Sequence, residues 1–166
     1  MLQKLKKIVV VAAAAVMLSA GFATIAPKEA SAHWADNNMK WALDRGYITV
    51  DLRDSLATRQ DAWLIFTRSL RKSSGYNYES ARNYLMSRGI TDGTRGTNWV
   101  TRDEMMGMIY ARATGNKAWN PNNGFGDARA FGVYSRIYDG TRGSNFATRA
   151  EVVTMIRNYW AADIWV

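Results

Sequence analysis

The stretch Asp92-Gly-Thr-Arg-Gly-Thr-Asn-Trp-Val-Thr-Arg102 returns almost letter for letter as Asp139-Gly-Thr-Arg-Gly-Ser-Asn-Phe-Ala-Thr-Arg149, and a worn third copy ends at Thr58-Arg59. The Thr-Arg pairs lie 43 and then 47 residues apart. Each unit is long enough for two helices and a loop but too short for a core of its own. Three units sharing one all-α core is the architecture this spacing predicts: 33–75, whose loop is degenerate, 76–120, and 121–166 with the C-terminal tail.

The first 32 residues are set apart from that pattern. Lys4, Lys6 and Lys7 precede an apolar run from Ile8 to Leu18, and Ala30-Ser31-Ala32 is a small-residue cleavage site before His33. An export signal removed after Ala32 fits this order, with Gly21, Thr24 and Pro27 interrupting the apolar stretch. An uncleaved anchor over Ile8 to Ala26 is the alternative, being uncharged and close to the ~20 residues that span a bilayer. The 134 residues after Ala32 carry 18 basic and 13 acidic side chains, a formal charge of +5. Fifteen of the bases are Arg, and only Lys40, Lys72 and Lys117 are Lys. The planar guanidinium fork matches carboxylate or phosphate, so this bias points to an anionic partner.

The absence of cysteine excludes disulfides, Cys-ligated zinc and thiol nucleophiles. His33 is the single histidine, which removes Ser-His and Cys-His catalysis and most metal sites. A two-carboxylate glycosidase remains chemically open, but Glu104 and Glu151 have a structural explanation as helix caps and Asp92 and Asp139 as turn residues. No enzyme, cofactor or metal is expected, and the modest charge together with export argues against nucleic acid.

Thr101-Arg-Asp-Glu104 and Thr148-Arg-Ala-Glu151 match the capping box, in which Thr caps the backbone and Glu reaches back; Thr58-Arg-Gln-Asp61 substitutes a shorter acid. Downstream, Ala62, Trp63, Ile65, Phe66 and Leu70 align with Met105, Met106, Met108, Ile109 and Ala113, and with Val152, Val153, Met155, Ile156 and Trp160. That is helical spacing with one apolar face. Shorter helices are predicted at about 36–44, 78–87 and 127–135, with Trp41, Tyr84 and Phe131 turned inward. Gly46 and Gly89 end the first two by a left-handed stop. The third has Arg136-Ile137 there, so its exit is expected to differ by about a residue. Asp92-Gly93 and Asp139-Gly140 are turn signals. The first copy has Thr49 and Val50 instead, which predicts an extended loop inactive in binding.

Arg59, Arg102 and Arg149 stand at the first helical position, where the macrodipole disfavours a cation. Two arrangements would offset that. The free N–H groups of the helix start and the guanidinium together suit an anionic ligand; alternatively each Arg pairs with an acid of the adjacent unit. Arg95 and Arg142 are further ligand candidates or solvated turn residues. Trp99 and Phe146 either stack on a sugar face or staple the helix that follows.

Three tandem units, each with a short helix, a Gly-bearing loop and a Thr-Arg-Ala-Glu helix start, resemble an S-layer homology domain triplet over 33 to about 160. The His33-Trp34-Ala35 opening, Phe125-Gly126-Asp127 and Thr148-Arg149-Ala150-Glu151 carry the likeness. The resemblance implies a pseudo-threefold helical bundle, exported to the cell surface, whose inter-unit grooves bind secondary cell-wall polysaccharide without catalysis. It gives Arg59, Arg102 and Arg149 the acidic pyruvyl group of that polymer. The loop from Gly89 to Thr101 is shorter than the family's and lacks its Phe-x-Pro element, which implies altered groove walls and at most two working sites. A protein-binding or surface-assembly module using exposed aromatic faces is the second functional class.

Overall fold

A computed structural model of the chain describes residues 33–162 and Ile164; residues 1–32, on which the expected export signal falls, and Trp165 lie outside the described residues. Among the described residues there are six helices and no strand. They are α1 (Asp36–Asp44), α2 (Arg59–Arg71), α3 (Tyr78–Met86), α4 (Arg102–Thr114), α5 (Gly126–Tyr134) and α6 (Arg149–Ala161). No helix among them is long and apolar enough to cross a membrane.

The three longer helices, α2, α4 and α6, begin at complete capping boxes. Thr58, Thr101 and Thr148 each accept the backbone N–H three residues on, and their own N–H groups donate to Asp61, Glu104 and Glu151 at 3.0, 2.9 and 2.9 Å. Their apolar faces meet in one core. Phe66 and Tyr159 are fully buried and pack edge to face at 6.0 Å, and Met105, Met106, Ile109, Val152 and Ile156 fill the remainder. Met suits this space because its unbranched side chain adapts to irregular gaps.

Each short helix packs on the long helix that precedes it in the chain, α3 on α2 and α5 on α4, and α1 closes the set by packing on α6. The packed pairs therefore straddle the sequence boundaries at 75/76 and 120/121. Asn38 holds the closing contact, donating to the Thr154 hydroxyl at 2.7 Å and accepting from Arg157 at 2.6 Å. The inward positions of the short helices are Met39 and Ala42, Ala81 and Leu85, and Ala128 and Gly132. Trp41, Tyr84 and Phe131, expected to fill that role, are half-buried beside them, edge to face with Tyr47, Tyr76 and Tyr110. In α5 both inward residues are small because the helix lies close to its neighbour. A Cβ on Gly132 would stand 2.5 Å from the Met106 sulfur.

The loops are joined in a cycle. Ala57 donates to Ala147, Val100 to Ala57 and Ala147 to Val100, each at 2.9 Å, so three peptides satisfy one another where the loops meet. Each loop also receives the first N–H groups of a long helix from another copy. Arg59 and Gln60 donate to Asn98 and Gly96, Arg102 and Asp103 to Asn145 and Gly143, and Arg149 and Ala150 to Ser55 and Arg53. The helix-start donors that have no intrahelical partner are thus taken up by neighbouring loop carbonyls.

Two expectations about the loops are corrected. The first loop is not extended: Ser55 donates to Leu52 at 3.0 Å, as Asn98 does to Arg95 and Asn145 to Arg142. Asp51 supplies its turn chemistry two residues later than Asp92 and Asp139 do, accepting the Arg53 N–H at 3.2 Å. The exit from α5 does not differ by a residue either. Ile137 donates back to Gly132 at 2.9 Å, as Tyr47 does to Ala42 and Ile90 to Leu85, and Arg136 takes φ +57° where Gly46 and Gly89 have +67° and +65°.

Candidate functional site: arginine grooves between the helix starts

The repeated helix-start arginines are held by acids of the next copy. Arg59 donates to Glu104 at 2.6 Å, to Asp92 at 3.0 Å and, through Nε, to the Thr94 carbonyl at 3.0 Å. Arg102 repeats the set with Glu151, with Asp139 at 2.7 Å and with the Thr141 carbonyl at 3.2 Å. Arg149 reaches Asp61 at 3.1 Å, which completes a ring of three arginine–carboxylate pairs linking α2 to α4, α4 to α6 and α6 to α2. Of the two arrangements open for these residues in the sequence, the inter-copy pair is present in all three.

The same carboxylates cap the helices. Glu104 gives Oε2 to the Thr101 N–H and Oε1 to Arg59, and Glu151 divides its oxygens the same way. A carboxylate has about four acceptor positions, and a capping bond uses one. Reading Glu104 and Glu151 as caps alone therefore missed half of what they do.

The third pair is poorer. Thr49 stands where Asp92 and Asp139 stand, so Arg149 has no loop carboxylate, and its buried Nε finds no acceptor. The Arg102 side chain is only 6% exposed. Burial works against its charge, but Glu151 and Asp139 more than compensate and raise its pKa, so it stays protonated. Burial likewise pushes the Asp92 and Asp139 carboxyls up. The Thr94 and Thr141 N–H groups and the neighbouring arginines outweigh that and hold both below 3.8.

Arg95 and Arg142 are different. Each side chain is 59% exposed, and its nearest carboxylate oxygen lies at 3.9 Å from Arg95 (Glu104) and 3.4 Å from Arg142 (Glu151). Both adopt left-handed backbone, φ +55° and +50°, a conformation that costs a non-glycine residue roughly 1–2 kcal/mol. Their guanidinium donors are largely available to a solute.

Three cavities lie along these residues. One of about 580 Å³ is lined by Trp34, Arg102, Arg136, Asp139, Arg142 and Glu151, among others. A second, of about 500 Å³, brings together the corresponding Arg59, Asp92, Arg95 and Glu104 with Lys117 and Trp119. Trp34 and Trp119 are 61% and 55% exposed. The third, also about 500 Å³, contains Trp99 and Phe146 with Arg59, Arg95, Thr97 and Asn98. Arg149 lines none of these three. Trp99, Phe146 and the aligned Leu56 are exposed beside the ring of loop peptides and flank the helix starts, with Trp99 bridged to Thr58 and Phe146 to Thr101.

Trp34, Lys117, Trp119 and Arg136 were not singled out by sequence reasoning, since none belongs to the repeated loop. Only the aligned Trp34 and Phe125 before a short helix gave any signal. Among the described residues no group of three His, Asp or Glu is placed to hold a metal ion. Compared with known proteins, the chain matches no family model, no curated protein and no solved structure.

Proposed function

We propose that this chain is a non-catalytic, exported module of S-layer-homology type, its three units closed into a pseudo-threefold helical bundle, that holds an acidic cell-wall polysaccharide in the grooves between units. The observation that carries this reading is the repeated pairing of an exposed, left-handed arginine with an exposed tryptophan, Arg142 with Trp34 and Arg95 with Trp119, in two cavities of equivalent make-up. Arginine supplies bidentate donors to a carboxylate such as a pyruvyl group. Tryptophan offers a flat apolar face to a sugar ring, with an indole N–H at its edge.

In this reading the buried Arg59 and Arg102 build and polarise the groove floor, and Arg95 and Arg142 make the first contact with the anion. The groove at Arg149 lacks the loop Asp and, with Leu52 in place of Arg95, the loop arginine, which supports two working grooves. The third cavity gives Trp99 and Phe146 a secondary place along the polymer.

The test is sedimentation of the protein with cell-wall sacculi before and after acid extraction of secondary polymer. Pelleting is expected only with unextracted walls, and Arg95→Ala with Arg142→Ala is expected to abolish it while leaving the thermal midpoint within about 2 °C, because surface substitutions usually change stability little. Equal pelleting with extracted walls would count against the proposal. The exposed Leu56, Trp99 and Phe146 favour one other reading, a protein-binding face, which concentration-dependent self-association without polymer affinity would support.

A further inference from the structure

Arg136 occupies a backbone position that glycine holds in both other copies. Gly46 and Gly89 adopt left-handed φ there at no steric cost, whereas Arg136 adopts φ +57° with a full side chain. A cation near the end of α5 is favourable for the helix dipole, but that need is met without strain elsewhere: Arg45 and Arg88 lie one residue earlier, neither in the left-handed region. In the third copy the arginine has moved one place on, leaving Ser135 behind with a buried hydroxyl that has no partner. Among the described residues no ion pair or side-chain hydrogen bond holds the Arg136 guanidinium, which lines the same cavity as Arg102, Arg142, Trp34 and Asn158.

Strained residues without a structural return are found where the side chain is needed by a ligand. Resting on the polysaccharide reading above, we infer that Arg136 is a ligand-binding residue that gives the Arg142 groove a second anion-recognising position. That groove then prefers a doubly charged acidic saccharide.

Titration of the purified protein with glucose 6-phosphate, a dianion at pH 7.5, and with glucuronate, a monoanion, followed by amide chemical shifts around Gly140 and Arg142, tests this. Wild type is expected to bind the phosphate about tenfold more tightly at these amides, since a hydrogen bond between charged groups is strong. Arg136→Gly is expected to remove that preference by weakening phosphate binding far more than glucuronate binding, and to raise the thermal midpoint by about 2–4 °C by relieving the left-handed residue. Arg136→Lys should keep most of the preference. A preference that survives Arg136→Gly, an equal loss for both sugars, or a fall in the thermal midpoint would each overturn the assignment. Wild-type protein that pellets with polymer-bearing walls yet shows no phosphate preference sinks this inference alone; protein that does neither sinks the functional reading as well.

Discussion

Replacing Gly143 with alanine tests whether the loop-to-helix contacts select side chains by size. A Cβ at this position would stand 2.2 Å from Oδ2 and 2.4 Å from Cγ of Asp103, whose N–H donates to the Gly143 carbonyl at 2.9 Å. The glycine needs no left-handed φ, so the conflict is purely steric. To make room the Asp103 carboxylate must swing away from Arg129, with which it is paired, and from the Tyr138 hydroxyl, which donates to it at 3.1 Å. Hydrogen bonds to charged groups contribute about 1.5–3 kcal/mol each. Arg129 is half-exposed and loses less, and alanine regains about 0.4–1 kcal/mol through the unfolded state. The net cost comes to about 2 kcal/mol, or roughly 6–8 °C in thermal midpoint for a domain of this size. Asp103→Ala removes the same two contacts and is expected to cost about as much, with Tyr138 still bonded to the Thr141 carbonyl at 3.0 Å. The double variant should then be no worse than Asp103→Ala alone, a coupling of about 2 kcal/mol. The protein already contains the compensated pair, since Arg53 stands at the Gly143 position opposite Ala150 at the Asp103 position. Urea denaturation of the four proteins measures the cycle. Additivity within about 0.5 kcal/mol, the behaviour of independent sites, would refute the size-matching argument.

Three further outcomes are expected. Asp61, Asp92 and Asp139 have pKa values lowered from 3.8 in the folded chain, burial being outweighed by N–H donors and the paired arginines. The unfolded chain therefore takes up protons first, so this stabilisation is complete above about pH 5 and is lost as pH falls through 3.8 toward the depressed values; urea midpoints that stay flat from pH 5 to 3 would contradict it. Asn38→Ala removes both polar contacts that close α1 onto α6 and should cost about 1–2 kcal/mol, while a change under 0.5 kcal/mol in urea denaturation would show the closure to be purely apolar. Arg102→Met takes the principal partner from the buried Glu151, which keeps the Thr148 N–H and Arg142, and should cost about 3 kcal/mol, the low end for breaking a buried pair, whereas Arg149→Met breaks one 3.1 Å pair, relieves an unpartnered Nε, and should cost less than half as much by the same assay.

The capping boxes and the 3.6-residue periodicity were legible in the sequence because they are local. Thr58, Thr101 and Thr148 fix where α2, α4 and α6 begin, and the apolar residues that follow fix which faces are buried, whatever else surrounds them. The repeated arginine was legible as a residue in need of an anion, since a cation at a helix start is unfavourable in any context. Which anion was a tertiary matter. Glu104, Glu151 and Asp61 lie 45, 49 and 88 positions away in the chain from the arginines they hold, and no pattern within one copy reveals that a capping carboxylate has an oxygen to spare. The inward faces of the short helices were legible in part: Trp41, Tyr84 and Phe131 do pack against the core, but only half-buried, because Met39, Ala42, Ala81, Leu85, Ala128 and Gly132 occupy the innermost positions. Local propensity also placed glycine at a left-handed stop and assumed a different path where glycine was missing. The contacts around the α5 exit outweigh the strain of one residue, so Arg136 follows the same path, because a packed core imposes many small energies on a single soft torsion.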